Sequence, residues 1–230
     1  MWNVKVYTLY PDLFPGPLNS GLFKKALDKK IWSLDVVNIR DYAEDKHKSV
    51  DDTPFGGGSG MILRADVLAK CLDENNLSNK GPLIYLSPKG KKFDQLLAKK
   101  FASKNLNIIC GHFEGIDQRV LDHRNIEEIS IGDFVLSGGE TASYVFLDAI
   151  LRLIPGVIGN ENSKNEESFE NGLLEYPQYT KPQIWEEKSV PNVLLSGDHA
   201  KIKDWRLSQS EAITRVRRPD LWQKYNNKKN

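Results

Sequence analysis

Short apolar runs alternate with amphipathic stretches along the first two-thirds of the chain. Residues 2–9, 34–39, 83–86 and 106–110 are runs of strand length rich in Val, Ile and Leu. Between them, 18–31, 65–75 and 91–103 have helical spacing, and in the last the spacing puts Phe93, Leu96, Leu97 and Phe101 on one face. A further apolar run, 129–136, is broken by Gly132, and 141–153 is apolar almost all round, which predicts a buried helix. Strand–helix alternation of this kind predicts an α/β fold, a parallel sheet covered on both faces.

The pattern stops at 160–171 (NENSKNEESFEN), which is polar and acidic and reads as a mobile linker. Residues 172–191 are rich in Pro and aromatics and read as irregular. Ser196 and Asp198 then offer helix caps before an amphipathic pattern carrying Ile202, Trp205, Ile213 and Val216, which Pro219 ends. The organisation expected is an α/β domain over 1–159, a linker over 160–171 and a small helical domain over 172–230. There is no internal repeat.

Composition narrows the class. A hydrophobic fraction of 40% and a charged fraction of 27% over 230 residues are those of a soluble globular protein with an ordinary core. No apolar run approaches the ~18 residues of a membrane span, and the first ten residues lack the layout of a signal peptide. Cys71 and Cys110 form neither a disulfide framework nor a CxxC site, and the four histidines are scattered, so no metal site is expected. A reducing cytoplasm fits. The net charge is +1, but 197–230 holds nine Lys/Arg against four Asp/Glu, leaving the rest about four units negative. That basic tail suits a polyanion partner or a solvated helix face equally well.

Three glycine-bearing loops each follow an apolar run: 87–90 (SPKG), 111–117 (GHFEGID) and 137–140 (SGGE). On one edge of a parallel sheet they would offer bare backbone N–H and C=O groups to a nucleotide-like ligand. No GxxxxGK[ST] is present and no GxGxxG opens a helix, so phosphate cradling and common dinucleotide binding are unsupported. A fourth glycine-rich loop, 54–60, lies near Arg40, Asp41, His47 and Lys48, which suit polar contacts with RNA.

The segments YLSPKG (85–90), CGHFEGIDQR (110–119) and SIGDFVLSGGE (130–140) resemble the bacterial tRNA (guanine-37-N1)-methyltransferase family. So do DDTPFGGGSGM (51–61), RLIPGVIGN (152–160), ESFENGLLEYPQYTKP (167–182) and VPNVLLSGDHAKIKDWR (190–206), in the family's order and over nearly the whole chain. The resemblance implies a SPOUT-class α/β domain tied in a deep trefoil knot, S-adenosylmethionine bound bent in the knot's loops, and tRNA as substrate. It also implies an obligate homodimer, each site completed by the partner's C-terminal domain, with Mg²⁺ suggested and neither membrane nor DNA as a partner.

The reaction implied is methylation of N1 of guanosine 37, just 3′ of the anticodon, with the base extruded from its loop. N1 carries a proton, so the chemistry needs a base and a donor for charge on O6. The family's base is an aspartate before SF. Here that position is Glu167, one methylene longer, with Glu166 adjacent. Arg152 matches the catalytic arginine. Tyr85, Leu86, Ser87, Gly111, Glu114, Gly115, Ile131, Gly132, Phe134, Leu136, Gly138 and Gly139 match the cofactor pocket. His112 and Phe113 replace an Arg-Tyr pair, and Ala142 replaces a proline. Asp51, Gly57, Gly58, His199, Lys201, Trp205 and Arg206 are the candidates for holding RNA. A related RNA ribose 2′-O-methyltransferase and a non-catalytic RNA-binding protein are the alternative readings.

Overall fold

Side chains alternate between two cores along the central strands, as the period of a β-strand dictates. Val4 and Val6 enter one core and Tyr7 the other; Leu106 and Ile108 face Ile109 in the same way, as do Ile84 and Leu86 against Leu83 and Tyr85. The computed structural model describes residues 1–75, 80–159 and 166–229. The chain divides into two compact units, Met1–Gly159 and Asn160–Asn230.

The first unit runs β1 (Trp2–Thr8), α1 (Gly21–Asp28), β2 (Trp32–Asn38), β3 (Asp51–Asp52), β4 (Ile62–Leu63), α2 (Ala65–Asn75), β5 (Leu83–Lys92), α3 (Gln95–Ala102), β6 (Leu106–Ile109), α4 (Gln118–His123), β7 (Glu127–Ser130) and α5 (Gly139–Leu151). Five strands form one sheet in the order β2-β1-β6-β5-β7, with every pairing parallel. Buried residues of α1, α3 and α5 fill the core on one face, and those of α2 and α4 the other. The covered parallel sheet read from the alternation is therefore present.

Four details differ from the periodicity. The run 129–136 is not one element: β7 stops at Ser130, and Phe134, Val135 and Leu136 are exposed. The helix expected at 91–103 loses its first residues to β5, starts after the Asp94 cap and leaves Leu96 exposed. Asp94 accepts from Leu97 N, so the cap sets the helix start where apolar spacing could not. Helix α5 begins two residues early, at Gly139, and Val145 on it is exposed. Helix α4 has too few turns to give an apolar period and was not expected.

The second unit contains the short hairpin β8 (Ile184–Trp185) and β9 (Lys188–Ser189), then α6 (Asn192–Leu195), α7 (His199–Arg217) and α8 (Pro219–Lys229). Pro219 does end α7, but it also opens α8, since a missing N–H costs nothing at a first helical position. Val216 lies exposed, off the expected apolar face. Of the linker expected at 160–171, residues 160–165 lie outside the described residues. Asp198 caps α7, accepting from Lys201 N at 3.1 Å. Asp198→Ala is expected to destabilise this unit by about 1 kcal/mol, within the ~0.5–2 kcal/mol of lost caps. Urea unfolding followed by far-ultraviolet circular dichroism checks it.

Candidate functional site

Parallel strands deliver their carboxyl ends to one edge, and the neighbours β6, β5 and β7 bring three loops together there. Between Leu86 and Lys91 the β5 register shifts: both pair with Ile129, so 87–90 bulges from the ladder. Loop 111–117 follows β6, and 131–138 connects β7 to α5. A cavity of about 250 Å³ opens among them. All twelve residues expected at the cofactor pocket line it: Tyr85, Leu86 and Ser87 from β5; Gly111, Glu114 and Gly115 after β6; Ile131, Gly132, Phe134, Leu136, Gly138 and Gly139 after β7.

Backbone packing shapes this cavity. A Cβ on Gly111 would lie 2.5 Å from the Tyr85 ring, and one on Gly139 2.7 Å from Cys110 Cα. Gly139 N donates to Gly111 O at 2.9 Å, so the start of α5 lies directly against the turn after β6. Burial pushes the Tyr85 phenol up to about 12 and keeps it neutral beside the glycines. Leu86, Ile116, Leu121, Ile129 and Ile131 supply apolar wall, and Glu114, Glu128, Lys89 and His112 are the other ionisable residues of the lining. The matched residues do not include Ile116, which lies in the expected loop 111–117, nor Leu121 and Glu128, which only the strand order brings to this edge.

A polar cluster outside the matched residues reaches the cavity through His112. Thr8 Oγ1 donates to Glu140 Oε1 at 2.6 Å, and His112 Nε2 lies 2.9 Å from Glu140 Oε2. Burial first, then the Glu140 carboxylate, pushes the Cys110 thiol well up, so that thiol is no nucleophile.

Arg152 caps the carboxyl end of α5 and borders a separate groove with Pro17, Leu18, Gln95, Tyr144, Val145, Asp148 and Ala149. Burial raises the Asp148 carboxyl, and Arg152 opposes that rise. Asp51 is half-buried on β3, while Gly57 and Gly58 lie exposed at positive φ, with open space where a side chain of residue 57 would point and Pro54 Cγ 3.9 Å from a Cβ at 58.

In the second unit, Glu167 sits beside a small cluster. Glu166 accepts from the Tyr176 hydroxyl and from Arg206 Nη1 at 3.1 Å, and the Arg206 guanidinium stacks 4.8 Å over the Tyr176 ring. Burial first, then the Glu166 bond, raises the Tyr176 phenol. The structure thus engages Arg206, expected to hold RNA, within this unit. His199 and Lys201 are exposed on the first turn of α7, and half-buried Trp205 packs 6.3 Å from Tyr179. Among the described residues, no group of three or more His, Cys, Asp or Glu could hold a metal ion, and no helix is long and apolar enough to cross a membrane.

Comparison with known proteins places this geometry. A family model described as tRNA (Guanine-1)-methyltransferase TrmD matches residues 2–224. The chain is 73% identical over 226 residues to a tRNA (guanine-N(1)-)-methyltransferase of Pelagibacter ubique (strain HTCC1062), covering 98% of this chain and 99% of that protein. Proteins of the same name from Bartonella tribocorum and Brucella canis are 55% and 53% identical, each over 97% of this chain and over 96% and 91% of their own lengths. With a model matched almost end to end and such relatives, the chain belongs to the tRNA (guanine-1)-methyltransferase family.

Proposed function

We propose that this protein is an enzyme that methylates N1 of guanosine 37 in tRNA, with S-adenosylmethionine as the methyl donor. The observation that carries the reading is the cavity in which all twelve expected residues meet. Its lining fits the donor's chemistry. Tight glycine backbone offers N–H and C=O groups to an adenine edge, apolar walls take the ring, and two carboxylates in the lining, Glu114 and Glu128, outnumber its one lysine, Lys89, and favour a cation. When bound, S-adenosylmethionine supplies a methyl group made electrophilic by its sulfonium.

The chain's own residues supply the rest. Glu167 accepts the N1 proton, and Arg152 stabilises charge that builds on O6. Glu167 is the stronger candidate because it holds the position of the family's aspartate; the adjacent Glu166 carboxylate accepts from Tyr176 and Arg206. We further propose a trefoil knot in the first unit, supported by the backbone of Gly139 lying against Cys110 and Gly111. A homodimer is the working form, supported by exposed Leu22, Leu96 and Val145 on the three helices of one sheet face. Residues 172–230 form the tRNA-binding part, with His199, Lys201 and Trp205 toward RNA. Mg²⁺, a hard cation, has no ligand cluster among the described residues, and tRNA phosphates are the oxygens it prefers.

The deciding assay is methyl transfer to tRNA transcripts that carry or lack guanosine at position 37, with the product base digested and identified. Methylation only of the guanosine-37 transcript, at N1, is expected; transfer to a ribose 2′-hydroxyl, or none, overturns the reading. Lys201→Ala is expected to weaken tRNA binding at every sequence and to flatten the slope of log affinity against log salt by about 0.7–0.9, the share of one phosphate contact. Filter binding across a salt series measures it.

A further inference from the structure

The carboxylate of Glu140 has no part in the reaction proposed above, yet it is the side chain on which three segments of the site converge. It is only 4% exposed, in the first turn of the thirteen-residue helix α5. Its two oxygens are taken by Thr8, the last residue of β1, and by His112, just beyond β6. A charge this deep is tolerated because both oxygens are paired and the helix N-terminus favours an anion. Leaving it unpaired would be strongly unfavourable, so the pairings are held firmly.

The consequence falls on His112, which lines the cavity. An ionised carboxylate only accepts hydrogen bonds, so His112 Nε2 carries the proton at this contact. In the neutral ring, Nδ1 is then the acceptor. Among the described residues Nδ1 has no hydrogen-bond partner. The ring is walled by Tyr10, with centroids 4.8 Å apart, and the His112 backbone forms an isolated β-bridge with Gly138, where any Cβ would collide with the imidazole. Its orientation is thus held from three sides.

We infer that Glu140 is a positioning residue that fixes the tautomer and orientation of His112, presenting Nδ1 as an acceptor for a hydroxyl or amine of the methyl donor. This rests on the reading that the cavity holds S-adenosylmethionine. Glu140 acts through His112 and does not itself touch the donor.

The test titrates S-adenosylmethionine into the parent protein, Glu140→Gln, His112→Phe and the double variant by calorimetry. Ring ¹⁵N spectra of parent and Glu140→Gln are recorded alongside. The parent is expected to bind with a single Nε2–H tautomer at His112. Each single variant is expected to lose at least about tenfold in affinity, Glu140→Gln with mixed tautomers, and the double variant no more than the weaker single. A Glu140→Gln protein with parent affinity and one tautomer overturns the inference, as does a double loss equal to the product of the singles, which would mark a merely structural role. Should Glu140→Gln fail to fold, His112→Phe, which retains the Thr8 bond, carries the test: parent affinity there overturns the inference. No binding by the parent is a different failure, since it refutes the cofactor reading on which the inference stands.

Discussion

Glu167→Gln is expected to bind S-adenosylmethionine and tRNA like the parent and to transfer methyl about 10²–10⁴-fold more slowly, the usual worth of a positioned general base. The amide keeps the size and polarity of the side chain but cannot accept the N1 proton. Glu167→Asp is expected to keep substantial activity, because a carboxylate remains and only one methylene is lost. Glu166→Gln is expected to fall far less than Glu167→Gln, since Glu167 and not Glu166 holds the position of the family's base. Single-turnover methylation of one guanosine-37 transcript by all three variants decides the assignment. Parent rates in Glu167→Gln with a dead Glu166→Gln would move the base by one residue. Parent rates in both would refute carboxylate catalysis altogether.

Gly139→Ala is expected to lose methyl-donor binding outright and to lower thermal stability, although alanine is the smallest possible addition. The reason is geometric. The new Cβ would meet Cys110 Cα at 2.7 Å and Gly111 N at 2.9 Å, and backbone cannot move aside as a flexible side chain would. From sequence alone, a bulky residue at 139 is expected to intrude on the ligand; the structure shows that it collides with the protein first. Overpacking of this kind costs about 3 kcal/mol at the upper end of the usual range, or roughly 6–12 °C for a domain of this size. Differential scanning calorimetry and donor titration on the same sample check both effects. A variant with parent stability that fails only to bind donor would return the clash to the ligand, and one unchanged in both would show that the two backbones are free to separate.

Periodicity alone carried the α/β class and the covered parallel sheet, because strands buried on both faces need runs such as LIYL and NIIC, and their helices need a 3.6-residue stripe. The three glycine-bearing loops were legible for the same reason: each follows such a run, and parallel strands end on one edge. Motif order then made the family resemblance readable, which no count of charges could do. What stayed hidden depends on which strands are neighbours. Glu128 and Leu121 join the cavity only because β7 and α4 close on β5 and β6. Thr8 reaches Glu140 across 132 residues and His112 across 28, so nothing local in the chain signals their cluster. In the same way 129–136 reads as an apolar run broken by Gly132, but Phe134, Val135 and Leu136 are exposed, with all three lining the cavity. Arg206 is a candidate for holding RNA, and only folding shows that it also lies over Tyr176 and beside Glu166. Local spacing determines which elements form and which face of each is apolar. The partners of a buried charge and the side chains that wall a cavity are long-range contacts, settled only when strand order and backbone crossings are set.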